Sequence, residues 1–362
     1  MKGRFKMHYC LIFSNLYNQF VKFMKIHVCW RAILLVSILI NSTFISTNAQ
    51  KADKNIIQKV MNEAYEKFKN DSRGKNADYI PYLAKVDSNL YGIAIVTPDG
   101  KVYELGDSKF EFGIESISKV FVLCLALESN TPEEIAQKVG VNATGFPFNS
   151  VTSIELQGKR AVNPLVNAGA MATNSLVKVQ NGNSKWKTIN DYFNRLAARE
   201  IKVIDELYHS EAETNQHNQA IAILLQSYNT IYDDPIMTCD LYTRQCSFGT
   251  SAKDLAIMAA TLANNGVNPV TKDKIINPQN VTKTLAVMTT SGLYEDSGQW
   301  LYDIGLPAKS GVGGGIIAVA PGKMGICVFS PRVDQAGNSV KAIETIKYIA
   351  EKLQLNIFNP MK

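Results

Sequence analysis

The spacing of apolar residues predicts β-strands in the first and last thirds of the chain and helices between them. Turn residues Thr97-Pro98-Asp99-Gly100 and Pro321-Gly322 separate neighbouring apolar runs and predict hairpins. Five segments have the short apolar runs that are typical of strands: Leu90–Val96, Lys101–Leu105, Phe110–Gly113, Lys309–Val319 and Met324–Ser330.

A period of three to four residues predicts helices elsewhere in the chain. Residues 140–166, which are rich in Gly, Asn and Pro, are predicted to be irregular. The predicted helices are residues 53–69, Ser116–Leu127, 131–138, Ala168–Val179, Ile189–Arg199, Asn218–Ser227, Ala252–Asn264 and Ser339–Leu353. The second of these is apolar on most sides, so we expect it to be buried.

Strands at both ends with helices between them favour an α/β fold of the α+β type. Hairpin connections favour antiparallel pairing of the strands. We therefore expect an antiparallel sheet built from the N- and C-terminal thirds and flanked by helices, with a helical lobe at about residues 130–300 inserted between them. A ligand site is expected in the cleft where the lobe meets the sheet.

The first 49 residues differ from the rest of the chain in charge. They contain six of the 38 Lys and Arg residues and none of the 32 acids, so residues 50–362 are balanced at 32 of each. Lys25 and Arg31 precede the apolar run Ala32–Ile40, and small and polar residues follow up to Ala49. This pattern is typical of a signal peptide cleaved after Ala49.

We therefore expect residues 1–49 to be a targeting segment and residues 50–362 to be the folded domain, exported to the periplasm or secreted. Met24 is an alternative start of translation, because the residues before it make an unusually long n-region. The alternative to export is a cytoplasmic protein with an anchored or disordered N-terminus.

Composition argues against several classes of protein. A balanced charge gives no support for nucleic-acid binding, and the N-terminal apolar run is too short for a stable membrane span. Only His209 and His217 lie beyond residue 49, and no His/Cys cluster has the spacing of metal ligands, so no metal is expected. If the compartment is oxidising, a disulfide between Cys239 and Cys246 is an alternative to two free thiols.

A first candidate for chemistry is Ser116-Ile117-Ser118-Lys119, an S-x-x-K motif that begins the apolar helix. Residues three apart on a helix share a face, so the Lys119 amine can reach the Ser116 hydroxyl. Burial lowers the pKa of a lysine and makes it a base. The motif alone leaves catalysis and a solvated pair equally open, because it recurs at Ser72–Lys75, Ser175–Lys178 and Ser184–Lys187.

A second candidate is Lys309-Ser310-Gly311, which resembles the K-[ST]-G strand motif of penicillin-recognising enzymes. The glycines that follow allow a backbone N–H to approach a substrate closely, as an oxyanion hole requires. The alternative is an ordinary glycine-rich strand entry or bulge. Together the two motifs favour an acyl-serine enzyme of the β-lactamase-like fold.

Nine blocks, in order and with similar gaps, resemble the bacterial-type glutaminase family over residues 55–358. The blocks are Tyr79–Ala84, Glu115–Lys119, Gly145–Ser150, Asn163–Ala170, Ser210-Glu211 with Asn218, Tyr242–Ser247, Leu262–Gly266 with Asn268-Pro269, Gly292–Gly298 and Lys309–Gly315. The resemblance implies a β-lactamase/transpeptidase-like fold and a glutaminase catalytic domain over residues 50–362. It also implies hydrolysis of L-glutamine to L-glutamate and ammonia without a cofactor, in a homodimer or homotetramer.

The resemblance further implies roles for individual residues. Ser116 matches the nucleophile, Lys119 its base and Tyr294 the proton donor near the leaving group. The backbone N–H groups of Ser116 and Val312 match the oxyanion hole. The resemblance also implies a set of residues that bind the substrate. These are Tyr79, Ser116, Asn167, Glu211, Asn218, Tyr242, Tyr294 and Val312. Taken alone, Asn167 is more typical of a helix cap.

Glu115 departs from the family pattern, because many relatives have glutamine at this position. If its side chain faces the pocket, its negative charge opposes the carboxylate of glutamine; if it faces solvent, nothing changes. Two other functions stay open. A penicillin-recognising acyl-serine enzyme is expected to react with a β-lactam, and a catalytically silent protein is expected to bind glutamine without turnover.

Overall fold

The computed structural model of the chain describes residues 56–179 and 183–359. The predicted targeting segment, its cleavage position and Met24 therefore lie outside the described residues. The chain divides into two compact units, Met1–Gln58 and Lys59–Lys362, and the sheet and the lobe belong to the second. Within the described residues, no helix is long and apolar enough to cross a membrane.

Strands occur near both ends of the second unit, as predicted. The strands are β1 Gly92–Val96, β2 Val102–Gly106, β3 Phe112–Gly113, β4 Gly249–Thr250, β5 Ala308–Ser310, β6 Gly315–Ala320 and β7 Met324–Phe329. The helices are α1 (residues 56–68), α2 Pro81–Ala84, α3 Ser118–Leu127, α4 Pro132–Lys138, α5 Val151–Leu156, α6 Asn167–Ser175, α7 Lys185–Ala197, α8 Asp205–Ala212, α9 Gln216–Ser227, α10 Pro235–Cys246, α11 Ala252–Ala263, α12 Pro278–Ser291, α13 Ser297–Asp303 and α14 Val340–Lys352. Short 3₁₀ turns occupy Glu115–Ile117 and Tyr294–Asp296.

Five strands form one antiparallel sheet in the order β2-β1-β7-β6-β5. The central pairing of β1 with β7, for example Ile95 opposite Ile326, joins the N-terminal third to the C-terminal third. Most of the helices lie between β3 and β5 in sequence. The predicted fold class, an antiparallel sheet flanked by helices with an inserted helical lobe, is confirmed.

The sheet is buried on both faces. Alternate residues such as Ala94, Ile317 and Cys327 belong to the same buried cluster as helix α11, while α14 packs against β6 and β7. Helix α11 lies so close to β7 that a Cβ atom added at Gly325 would be 2.2 Å from the backbone nitrogen of Ala260. The sheet is therefore held rigidly against the lobe through α11.

Helix α3 is the buried helix that its apolar sequence predicts. Nine of its ten residues are buried, with Leu125 the exception. The neighbouring α4 begins with the predicted N-terminal signature, in which Thr131 and Glu134 form a capping box. The α-helix begins at Ser118, however, two residues later than predicted, because Ser116 lies in the preceding 3₁₀ turn.

Several sequence predictions of elements are wrong. The single strand predicted over Lys309–Val319 is two strands, because residues 311–314 turn the chain back and Gly311 N–H donates to Gly315 O at 2.9 Å. The segment predicted to be irregular contains α5, whose first turn is capped by the Ser150 hydroxyl. The predictions also omit the helices α2, α8, α10, α12 and α13.

The disulfide considered between Cys239 and Cys246 is also excluded. Both thiols are free and buried on the single helix α10. Seven residues of α-helix separate Cα atoms by roughly 10 Å, whereas a disulfide requires less than about 7 Å.

Candidate active site

Ser116 lies at a sharp connection between the small β3–β4 sheet and the buried helix α3. The 3₁₀ turn Glu115–Ile117 leads directly into α3, and Ser116 is only 6% exposed. The turn is fixed on one side by the Ile114 N–H, which donates to Phe248 O at 2.9 Å. Glu115 has a φ of 51°, in the left-handed region that residues other than glycine seldom adopt. This conformation sets the position of the serine that follows.

Lys119 lies in the first turn of α3 and is fully enclosed. Its Nζ atom donates a hydrogen bond of 2.7 Å to Asn167 Oδ1 and lies 5.5 and 5.7 Å from the ring centroids of Tyr242 and Tyr294. Burial lowers the pKa of Lys119 to about 8, against the raising effect of nearby acidic groups, including Glu115. About a tenth of this amine is therefore neutral at pH 7, and this fraction can accept a proton.

Asn167 connects the lysine to the helical lobe. It is the first residue of α6, whose N-cap is Val166, so the alternative interpretation of Asn167 as a cap is wrong. Its Oδ1 also accepts a hydrogen bond from the Tyr242 hydroxyl at 3.0 Å, and its Nδ2 donates to Asn218 Oδ1 at 2.9 Å. The predicted residues from α3, α6, α9 and α10 thus form one continuous hydrogen-bonded network.

Tyr294 approaches the serine from a 3₁₀ turn, with a φ of 57°. Its hydroxyl is buried, and no described residue forms a hydrogen bond with it that meets the geometric criteria. Burial raises the pKa of Tyr294, and an interaction with the Ser116 hydroxyl opposes this effect. The tyrosine is therefore a protonated hydroxyl beside the serine, available to a ligand.

Lys309 is a site residue that the sequence indicated only through its motif. Its Nζ atom lies 3.8 Å from the centroid of the Tyr294 ring and donates to the Ser310 carbonyl at 2.7 Å. Burial lowers the pKa of Lys309 well below its usual value, and the charge of Lys119 lowers it further. Two buried lysines, Lys119 and Lys309, thus lie close to the Tyr294 ring.

The glycine turn between β5 and β6 packs against the turn that holds the serine. A Cβ atom added at Gly311 would lie 2.9 Å from Ile114 O, and one added at Gly313 would lie 2.6 Å from Gly113 O. Val312, between these glycines, is buried. Only glycine allows the backbone on both sides of Val312 to approach the serine turn so closely.

The remaining predicted residues lie on the other side of the site. Glu211 on α8 interacts with Glu115, and the charges of both acids add to the effect of burial in raising the pKa of Tyr79. Tyr79 keeps 56% of its surface exposed, so it forms the rim. The backbone N–H of Tyr82 donates to the Ser210 hydroxyl at 3.2 Å, which ties this rim to α8. The structure therefore brings all the predicted site residues together.

Chemically, the arrangement combines a hydroxyl nucleophile, a lysine of lowered pKa and a buried tyrosine hydroxyl. Such a set suits acyl transfer at a carbonyl group. Among residues 56–179 and 183–359, no group of three or more His, Cys, Asp or Glu is placed to hold a metal ion.

Comparison with known proteins gives a consistent result over the same part of the chain. The family described as Glutaminase matches residues 74–358. A glutaminase from Colwellia psychrerythraea is 56% identical over 310 residues, which is 86% of this chain and all of that protein. A glutaminase from Parabacteroides distasonis is 50% identical over 304 residues, covering 84% of this chain and 95% of that protein.

Solved structures are similar as well. A structure described as probable glutaminase ybaS superposes with a TM-score of 0.83 at 47% identity, covering 84% of this chain and 99% of that one. A structure of Mglu in its glutamate form gives a TM-score of 0.77 at 34% identity, covering 83% of this chain and 69% of that one.

Proposed function

This chain belongs to the glutaminase family, and we propose that it converts L-glutamine to L-glutamate and ammonia through a γ-glutamyl ester on Ser116. As a member of that family it is an amidohydrolase. One observation carries the proposed mechanism: Lys119 is buried three residues after Ser116, and its pKa is lowered to about 8.

In the first half of the reaction, neutral Lys119 takes the proton of Ser116, and the serine oxygen attacks the side-chain amide carbon of glutamine. The backbone N–H groups of Ser116 and Val312 stabilise the oxyanion. Tyr294 donates a proton to the nitrogen and regains one from protonated Lys119, so that the C–N bond breaks, ammonia leaves and Lys119 returns to its neutral form. The buried hydroxyl of Tyr294 beside Ser116 supports this role.

In the second half, water attacks the γ-glutamyl ester, with Lys119 again accepting a proton. The ester C–O bond breaks, Lys119 passes its proton to the Ser116 oxygen, and glutamate leaves. The charged amino-acid end of the substrate requires fixed polar partners. Asn167, Asn218 and Glu211 supply acceptors and amide donors for it, and Tyr79 and Tyr242 supply hydroxyls.

The nucleophile can be tested with Ser116→Ala and a matched control, Ser72→Ala. Ser72 begins another S-x-x-K pattern but is exposed. With Ser116→Ala, ammonia release from L-glutamine is expected to fall by at least about a thousandfold while binding survives, and Ser72→Ala is expected to match wild type.

Retention of more than about a thousandth of the wild-type rate by Ser116→Ala would exclude Ser116 as the nucleophile. The same assay with a β-lactam and L-asparagine separates this function from a penicillin-recognising one. A folded wild-type protein that binds glutamine without ammonia release would instead be a silent binding protein.

We also propose that the chain is exported and assembles as a homodimer or homotetramer. The signal-like pattern that ends at Ala49 supports export, and the mature protein is then expected to begin at Gln50 when its N-terminus is sequenced. An intact N-terminus on the active protein would contradict this. Light scattering is expected to give two or four copies, and a monomer at assay concentration would contradict the assembly.

A further inference from the structure

Two carboxyl groups meet beside the nucleophile. Glu115, immediately before Ser116, is 3% exposed, and its side chain is hydrogen-bonded with that of Glu211 on α8. An ionised carboxylate can only accept hydrogen bonds, so a hydrogen bond between two carboxyls requires a proton on one of them. Two buried carboxyl groups in contact therefore favour sharing one proton.

Each carboxyl also keeps one oxygen available. Oε1 of Glu115 and Oε1 of Glu211 are buried and have no hydrogen-bond partner among the residues that the structure describes. Buried acceptors without a donor are unfavourable, so they indicate a place that a ligand's donors fill. A group with several N–H donors and a positive charge satisfies both oxygens.

The walls of the site fix the Glu115 side chain in this position. A Cβ atom added at Gly311 or Gly313 would lie 3.2 Å from Glu115 Cβ or Cγ, and one added at Gly113 would lie 3.4 Å from Glu115 Oε1. The side chain therefore fills the space between the serine turn and the glycine turn. Its carboxyl cannot rotate into solvent without moving the backbone on one side.

Other titratable groups face Glu115 from the elements packed around it. Besides Glu211 on α8, these groups are Lys119 on α3, Tyr79 before α2, Cys246 on α10 and Tyr294 on its 3₁₀ turn. Among the groups that face Glu115, Lys119 alone can be cationic, and its Nζ is already bonded to Asn167. The pair thus has no full counter-charge until a cation arrives.

We propose that Glu115 is a specificity-determining residue that shares one proton with Glu211, and that the resulting singly charged pair binds the α-ammonium group of the substrate. This inference rests on the proposed function, because it assigns part of the substrate to these side chains. The shared proton keeps the pair at the single negative charge that a glutamine beside Glu211 would give. Glu115 therefore adds a titrating group to the site rather than a fixed second charge.

The net charge of the pair of Glu115 and Glu211 depends on pH. Burial raises the pKa of Glu115 to about 7, opposed by the hydrogen bond with Glu211 and the charge of Lys119. Burial and the neighbouring Glu115 raise the pKa of Glu211 well above its usual value. As the pH falls below about 7, the pair gains its second proton, becomes neutral and loses its attraction for an ammonium group.

The experiment measures KM and kcat for L-glutamine between pH 6 and 8 in wild type, Glu115→Gln and Glu213→Gln. Glu213 is an exposed acid at the end of α8, so it controls for the loss of one acid nearby. KM of wild type and Glu213→Gln is expected to rise about tenfold as the pH falls from 8 to 6, following the ionised fraction of a group with a pKa near 7. The pH dependence of KM in Glu115→Gln is expected to differ from that of wild type, because the pKa of Glu211 keeps the raising effect of burial but loses the added effect of Glu115.

A second measurement needs no variant, so it holds if Glu115→Gln fails to fold. Inhibition constants of L-glutamate and glutarate, which differ only in the α-ammonium group, are compared in wild type over the same range. L-Glutamate is expected to bind more weakly at pH 6 than at pH 8, and glutarate is expected not to weaken. Parallel behaviour of the two inhibitors, or an unchanged pH dependence in Glu115→Gln, would overturn the proposal.

Failure of this inference can be distinguished from failure of the proposed function. No ammonia release by wild type at any pH would remove the function itself. Ammonia release with a KM that does not depend on pH would keep the function and remove the role of Glu115.

Discussion

At the scale of single residues, the site is built from conformations that are unfavourable on their own. Glu115 and Tyr294 both have positive φ, at 51° and 57°, which for an ordinary residue is unfavourable by roughly 1–2 kcal/mol. One precedes the proposed nucleophile and the other carries the proposed proton donor. The surrounding strand pairs and helices stabilise both conformations, so Ser116 and the Tyr294 hydroxyl have fixed positions before substrate binds.

Lys119 gives a prediction for the rate of the chemical step. Its pKa is lowered to about 8 by burial, and only the neutral amine can accept the serine proton. The limiting kcat is therefore expected to rise about tenfold between pH 7 and pH 9, as the neutral fraction grows from about a tenth to about nine-tenths.

A kcat profile at saturating glutamine checks this, because the pair of Glu115 and Glu211 acts through KM. Lys119→Met, which cannot accept a proton, is expected to lose activity across the whole range. A kcat that stays flat from pH 7 to 9 in wild type would contradict the role of Lys119 as the base.

At the scale of elements, apolar periodicity located the segments whose side chains form the core. Strands β1 and β7 and helices α3 and α11 have nearly continuous burial, so their pattern is clear in the sequence. Helix α8 buries one hydrophobic residue, Leu207, and therefore has no such pattern. Helix α10 buries polar residues such as Thr238 and Gln245, so its buried face cannot be identified from apolar positions alone.

The residues of the active site could be predicted from the sequence only in part. The spacing of Ser116 and Lys119 is local, so the sequence indicated the pair directly. Their partners lie far along the chain, and the family resemblance supplied them. The contact between Glu115 and Glu211 and the position of Lys309 over Tyr294 depend on tertiary packing. No local pattern indicates such contacts.

The contact between α11 and β7 gives a prediction at the same scale. Gly325→Ala would place a Cβ atom 2.2 Å from Ala260 N, a distance that requires backbone movement. We expect the free energy of unfolding to fall by about 4 kcal/mol, which is in the upper range for single substitutions. Chemical denaturation measures this change.

Gly298→Ala is the matched control, since a Cβ atom at Gly298 in α13 meets nothing within 4 Å. It is expected to be neutral or to stabilise the protein by up to about 1 kcal/mol, because alanine favours helix. Equal effects of the two substitutions would show that the sheet and α11 can separate without loss.

At the scale of the whole molecule, the sheet brings distant parts of the sequence to one site. Pairing of β1 with β7 sets the serine turn, which follows β3, against the glycine turn between β5 and β6. The lobe between them supplies Asn167, Glu211 and Asn218. The site is thus a property of the complete domain, and its buried titratable groups affect the stability of that domain.

The stability of the whole molecule is expected to depend on Glu115 as follows. The usual pKa of 4.5 is raised to about 7 in the folded protein, so folded protein binds more protons between these values. Stability is therefore lost as the pH rises through this window, by on the order of 3 kcal/mol. The difference in unfolding free energy between Glu115→Gln and wild type is therefore expected to favour the variant more at pH 8 than at pH 5.

Unfolding by urea at pH 5 and pH 8 measures this difference between the two proteins. Glu115 also raises the pKa values of Lys119 and Glu211, so the measured difference includes the change at these two neighbours. A difference in stability that does not change with pH would contradict a raised pKa at Glu115.

The strand order also has a consequence for how the protein folds during synthesis. Strand β7 lies in the centre of the sheet, between β1 and β6, yet it is among the last elements to leave the ribosome. Until it emerges, β1 has one unpaired edge and the apolar surface of α11 lacks its partner, so a nascent chain of some 320 residues carries surfaces that associate readily with other chains. Pairing over such a long sequence separation is slow, and holdase chaperones are expected to be most valuable to this protein just before its last strand arrives.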